Sequence, residues 1–282
     1  MLGRDCQRVD WVDNNHREKC EILGREHEKE EAEHQSLLDH LAIQHPGMSD
    51  RRLREVEEDY FLQWIDLHSI SIRKAAIATV LTNMGRLPSF PDLTGWMFGI
   101  ELGPRLAHSG EIDPSTAFFV RNVSLYSAHG KRQEWAKHAG FLRDDSSWAA
   151  NDKWLHWAEV NDAMDRLITI IPIGIMYHDI MKMDSVPMLV PSHEARVALT
   201  LRLLDPVDHL RRWIPTFKAM VLRGHVLGPP DAEPDDDVEL EVGKVIKLGN
   251  RWGWVSLTDE EVQQAGYIKN PGVVGSVTQV SA

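Results

Sequence analysis

"LITIIPIGIMYHDIMKM", residues 167–183, is the stretch on which the reading of the middle of this chain turns. Leu167 to Tyr177 is the longest apolar run in the sequence, yet it is far shorter than the ~20 residues a membrane-spanning helix needs, so it reads as a buried segment. Upstream, Trp154, Trp157, Asn161, Met164, Ile168 and Ile171 recur at steps of three and four, which predicts one long helix over about 147–171. Pro172 interrupts that helix, and 173–183 is expected as a short helix of its own.

Further out, the helical reading continues in both directions. "HEARVALTLRLL" is expected as a helix capped by Ser192, and "VDHLRRWIPTFKAMVLRGHVL" as one broken by Pro215. Residues 86–115 hold Pro88, Pro91, Pro104 and Pro114, so short helices and loops are expected there, followed by helices over 115–128 and 130–140. Before them, a helix starting after Ser49 as N-cap runs towards Gly85, with a stripe of Leu53, Val56, Tyr60, Trp64 and Leu67, then Ala75, Ala78 and Leu81. From Ile70 onward nearly every face of it is apolar, which predicts a buried second half and a first half wet on one side. Residues 14–45 form the preceding helix, and Pro46-Gly47 turns the pair into an antiparallel hairpin.

The composition shifts at "GPPDAEPDDD", residues 228–237. After it, "VELEVGKVIKLGNRWGWVSL" alternates as strands do, with Gly249-Asn250 as a two-residue turn that sets Val245 opposite Trp254 and Lys247 opposite Trp252. "TDEEVQQAG" then reads as a short helix with Thr258 and Glu261 as a capping box and Gly266 as its stop. The tail "NPGVVGSVTQVSA" reads as flexible, or as ordered only against a partner. The expected fold class is therefore mainly α: a charged N-terminal helical arm (1–45), an irregular multi-helix core (46–228), an acidic Pro-rich linker (229–237), and a small β-hairpin unit with a flexible tail (238–282).

The chain has 282 residues, 43% of them hydrophobic, enough to bury a sizeable core, and a formal charge of −12. That acidity disfavours broad binding to nucleic acid, which depends on Lys and Arg neutralising phosphates. Two cysteines, Cys6 and Cys20, cannot build a disulfide framework, and the polar start lacks the apolar core of a signal peptide. A cytoplasmic or intracellular setting, with no membrane contact, is the expectation.

The arm contains "HREKCEILGREHEKEEAEHQSLLDHLAIQH", residues 16–45. On a helix His27, Glu31 and His34 fall on one face, and His16 and Cys20 are a turn apart, spacings that can ligate a divalent metal. Only one Glu-x-x-His pair is present, Glu31 to His34, whereas di-iron bundles use two. In heptads, Cys20, Leu23, Leu37 and Leu41 take seam positions, with His27, Glu30 and His34 between them, too polar a seam for a stable coiled coil alone. The stretch reads as a solvated or partner-facing helix.

Within "MYHDIMK", Met176 to Lys182, the sequence resembles the His-Asp helix of HD-domain metal-dependent phosphohydrolases, a likeness covering about residues 150–228. That resemblance implies a divalent metal held by His156, His178, Asp179, His193 and His225, activating water against a phosphate ester. Without the resemblance no cofactor is expected and no catalytic residue is assigned. Each of these histidines also has a plain structural reading, on a wet helix face or at a helix end. Arg51, Arg52, Lys131, Arg132, Trp135, Arg211 and Arg212 place basic groups beside aromatics, a pattern suited to a single-stranded nucleic-acid groove but equally to solvated helix faces. The function expected first is a non-enzymatic assembly or interaction protein, coat- or scaffold-like, that self-associates or binds a protein partner through its arm and tail. An HD-like phosphate-ester hydrolase is the alternative.

Overall fold

The computed structural model describes residues 16–83, 96–105, 111–127, 155–156, 158–159, 167–189, 208–228, 241–249, 251–269 and 277–279. The chain divides into two compact units, 1–57 and 58–282.

In the first unit, helix α1 (His16–Gln44) and the start of helix α2 (Asp50–Asn83) form the expected hairpin. Gly47 makes the turn in the left-handed region, φ +87°, where an L side chain is strained. The Leu53 N–H donates to the Ser49 carbonyl as the first bond of α2. His34, Leu37 and Leu41 on α1 and Leu53 and Glu57 on α2 are buried, spaced at three and four so that each helix buries one stripe.

The second unit is where the mainly helical expectation fails. Among the described residues, helices share it with three sheets, of four, three and two strands, so the fold is a mixture of helix and strand. The largest sheet has the order β2–β1–β3–β4, built from β1 (Trp96–Pro104), β2 (Phe118–Ser127), β3 (Leu167–Tyr177) and β4 (Ile180–Leu189). The outer pairs are antiparallel, and β1 runs parallel to β3, Phe98 opposite Ile173. Residues expected as a loop region (96–104), as a helix (118–127), as a helix end (167–171) and as a short helix (173–183) are all in this sheet.

The reason lies in side-chain chemistry. Isoleucine occupies four of the seven positions 167–173 and threonine a fifth, and branching at Cβ favours extended backbone. β3 is also central, with Ile171, Ile173, Ile175 and Tyr177 buried on one face, and Gly174 buried and Ile170, Pro172 and Met176 half-buried on the other. A strand buried on both sides has no alternation to mark it. Pro172 sits one residue before the first β1–β3 pair, where its missing N–H costs that ladder nothing.

The inner half of α2 lies on this sheet. Phe61 meets Phe118 edge-on at 6.0 Å and Tyr177 at 6.2 Å, and those two rings contact each other at 4.6 Å. Residues 70–80 of α2 are all buried or half-buried, as their apolar content predicts. Helix α3 (Asp208–Arg223) packs beside them, with the Trp213 indole N–H donating to the Ser71 carbonyl (3.5 Å) and Lys218 to the Arg121 carbonyl of β2 (2.9 Å). Pro215 is inside α3 at an exposed position, and the helix continues through it.

β5 (His225–Gly228) follows α3 directly and pairs with β6 (Glu241–Leu248), so the strands on either side of the acidic 229–237 stretch belong to one sheet. β6 and β7 (Arg251–Ser256) have the predicted register, Val245 opposite Trp254 and Lys247 opposite Trp252. Gly243 is required there, since a Cβ at that position would come within 2.3 Å of the Trp254 indole. Helix α4 (Asp259–Gln264) carries the predicted capping box, Thr258 with Glu261, and Gly266 ends it at φ +69°. In the tail, Val277–Gln279 (β9) pairs with β8 (Tyr267–Lys269) and is ordered against its own chain. Among the described residues, no helix is long and apolar enough to cross a membrane.

Candidate functional site

On α1 the three donors singled out from sequence do not behave as one set. His27 and Glu31 are exposed and 3.8 Å apart, an ordinary surface pair one turn apart. His34 points into the hairpin, its Nε2 3.0 Å and 3.1 Å from the two carboxylate oxygens of Glu57. Burying a carboxylate is tolerable only with such a partner, so this bond fixes the register of α1 against the start of α2. A Glu31 oxygen also lies within 4.8 Å of a His34 ring nitrogen, two donors of the kind that bind a divalent cation.

His178 and Asp179 occupy the two-residue turn between β3 and β4, flanked by the Tyr177–Ile180 pair. His178 has φ +49°, a left-handed conformation that two-residue hairpin turns demand, and its Nδ1 is 3.4 Å from the Asp179 carboxylate. The short helix expected around them is therefore corrected to a hairpin, and the apolar run ahead of the His-Asp pair is a strand. His156 is exposed in a short helical piece. His193 lies outside the described residues, as does the Trp154–Met164 part of the tryptophan stripe. Among the described residues, no group of three or more His, Cys, Asp or Glu donors within metal-binding reach includes His156, Asp179 or His225.

His225 starts β5 and belongs to a different cluster. Its Nδ1 is 2.8 Å from the Tyr267 hydroxyl, with the rings edge to face at 5.6 Å. Arg223 lies over the Tyr267 ring at 5.7 Å and donates to the Ala265 carbonyl (2.7 Å), while Lys244, opposite His225 in the sheet, bonds Glu261. Burial, and then the Arg223 charge, hold the His225 imidazole below its ordinary range. Burial pushes the Tyr267 hydroxyl up, partly offset by Arg223. The Lys244 bond, then the Thr258 N–H, hold the Glu261 carboxyl down. The His225–Tyr267 hydrogen bond and its neighbours tie β8 to β5. No sequence spacing announced the cluster, because Arg223, His225, Lys244, Glu261 and Tyr267 come from five different elements.

Of the residues expected in a nucleic-acid groove, Arg51 and Arg52 are the two whose side chains are described. Arg51 and Arg52 are exposed on α2, Arg51 paired with Glu55 at 3.3 Å one turn on. Lys131, Arg132, Trp135 and the side chains of Arg211 and Arg212 lie outside the described residues. Compared with models of known protein families, with curated proteins and with solved structures, the chain matches none.

Proposed function

We propose that this is a non-enzymatic assembly or interaction protein whose partner-binding element is the outer part of α1. The observation that carries the reading is one of exposure: residues 24–32 are exposed on every face, and among the described side chains of α1 the buried ones begin at His34. A free helix of that length is marginal in water, and Gly24 weakens it further. A surface that gains order by docking accounts for its retention. Ile22 and Ile43, exposed on the same helix, are apolar contacts for a second copy of the chain or another protein. With two cysteines and an acidic surface, an intracellular setting suits the reading.

Light scattering after size exclusion tests it. Removing residues 1–32 leaves His34, Leu37 and Leu41 in place, so the rest of the hairpin keeps its anchors. The full chain should run as an assembly or capture a protein partner, and the truncated chain as a folded monomer. An unchanged mass would overturn the proposal. Stoichiometric zinc or manganese in the purified protein, lost in Asp179→Ala, would instead favour the metal-hydrolase alternative.

A further inference from the structure

In the second unit, Trp64 Nε1, His68 Nδ1 and Ser71 Oγ are sealed from solvent without a hydrogen-bond partner among the described residues. All three residues have 0% relative exposure. They stand at i, i+4 and i+7 on α2, within one stripe of the helix. The Trp64 and His68 rings lie against each other, centroids 4.6 Å apart and tilted by 44°. Trp213 and Phe217 of α3 pack against the stripe, Trp213 through the Ser71 carbonyl and Phe217 with its ring 6.5 Å from that of His68. The 3-10 turn Pro114–Thr116 also touches it, through the Ser115 carbonyl at His68.

The proton inventory of the stripe is defined. His68 Nε2 is 2.9 Å from the Ser115 carbonyl, which can only accept, so the imidazole proton is on Nε2 and Nδ1 is left as a bare acceptor. Burial pushes the His68 pKa down to about 4, so the ring is neutral at pH 7. The Trp64 indole can only donate, and the Ser71 hydroxyl can do either. A buried donor and a buried acceptor are each costly when dry, and native interiors rarely leave them so.

We infer that this stripe is a site for internal water, which accepts the Trp64 N–H, donates to His68 Nδ1 and takes Ser71 Oγ as its further partner. A bound water of this kind ordinarily makes about three hydrogen bonds. Water also matches the donor–acceptor order of the stripe. The Trp64 N–H disfavours a cation, and the bare Nδ1 lone pair disfavours a carboxylate.

Water-selective NMR on the 15N-labelled full chain reads the site directly. The Trp64 indole resonance, assigned among the ten tryptophans by its loss in Trp64→Phe, should show a cross-peak with the sign of a long-lived bound water. Ser71→Ala should weaken that cross-peak at least two-fold while the remaining indole resonances stay in place. An indole N–H with no water cross-peak in the folded wild-type protein would overturn the inference, and this measurement stands even if a variant fails to fold. A Ser71→Ala spectrum with an undiminished cross-peak would remove Ser71 from the site and overturn the three-partner form.

Discussion

The helical hairpin and the four-stranded sheet stabilise themselves by different means. Of the side chains described as buried between residues 16 and 57, three are leucines and two, His34 and Glu57, are polar and bonded to each other. In the sheet the buried set is Phe98, Ile100, Leu102, Phe118, Val120, Ile171, Ile173, Ile175, Tyr177 and Val186, with Ser185 the polar exception. Apolar area supplies energy without direction, whereas a bonded pair of polar groups supplies direction with little net energy. The hairpin is thus specified more than it is stabilised, and the sheet the reverse.

Phe118→Ala should give the largest effect. It removes a fully buried ring that touches Phe61 and Tyr177, and should cost roughly 3–5 kcal/mol in chemical denaturation. A loss under about 1 kcal/mol would mean that the apolar core lies elsewhere.

Acid should act next, through His68. Its folded pKa is about 4 against 6.5 for the free side chain, so between those values the unfolded chain binds a proton that the folded one does not. Stability is then full above about pH 6.5 and falls as pH drops towards 4, by roughly 3 kcal/mol in all. The burial-raised carboxyls of Asp66 and Asp113 work in the opposite direction, so the informative quantity is wild type minus His68→Gln across that window. Parallel pH profiles for the two proteins would contradict the burial of His68.

The smallest effect belongs to the hairpin. Glu57→Leu should cost about 1–3 kcal/mol by taking a partner from buried His34, and His34→Leu combined with it should recover most of that loss. Additive losses in the double variant would show that the pair sets no register.

The elements that could be read from sequence were those with local chemical signatures. Pro46-Gly47, Gly249-Asn250 and the Thr258/Glu261 box each announce themselves within a few residues, and the hairpin, the β6–β7 register and α4 all follow from them. β1 and β3 are paired by a contact between residues 75 apart, Phe98 with Ile173, and no local pattern encodes that. β3 also lacks the alternation that marks a half-exposed strand, and the bulge at Glu101/Leu102 breaks the β1–β2 register. The candidate site fared similarly. His34 was visible as a possible ligand, but its partner Glu57 is on the next helix. His68 and Tyr267 carry no motif, and only the packing around them makes them chemically distinctive.

That same β1–β3 pairing has a consequence for how the protein reaches its fold. β1–β2 and β3–β4 are each neighbours in sequence, and hairpins of that kind close in ~1–10 μs. Joining them in parallel must wait until a far longer stretch of chain has been brought round, and contacts of high sequence separation slow folding by orders of magnitude. Two preformed hairpins with unpaired inner edges, Phe98 to Glu101 on one and Ile173 to Met176 on the other, would be exposed together during that wait. On a ribosome the first emerges well before the second, so the kinetic weak point of this chain is an unpaired β1 edge on a nascent polypeptide.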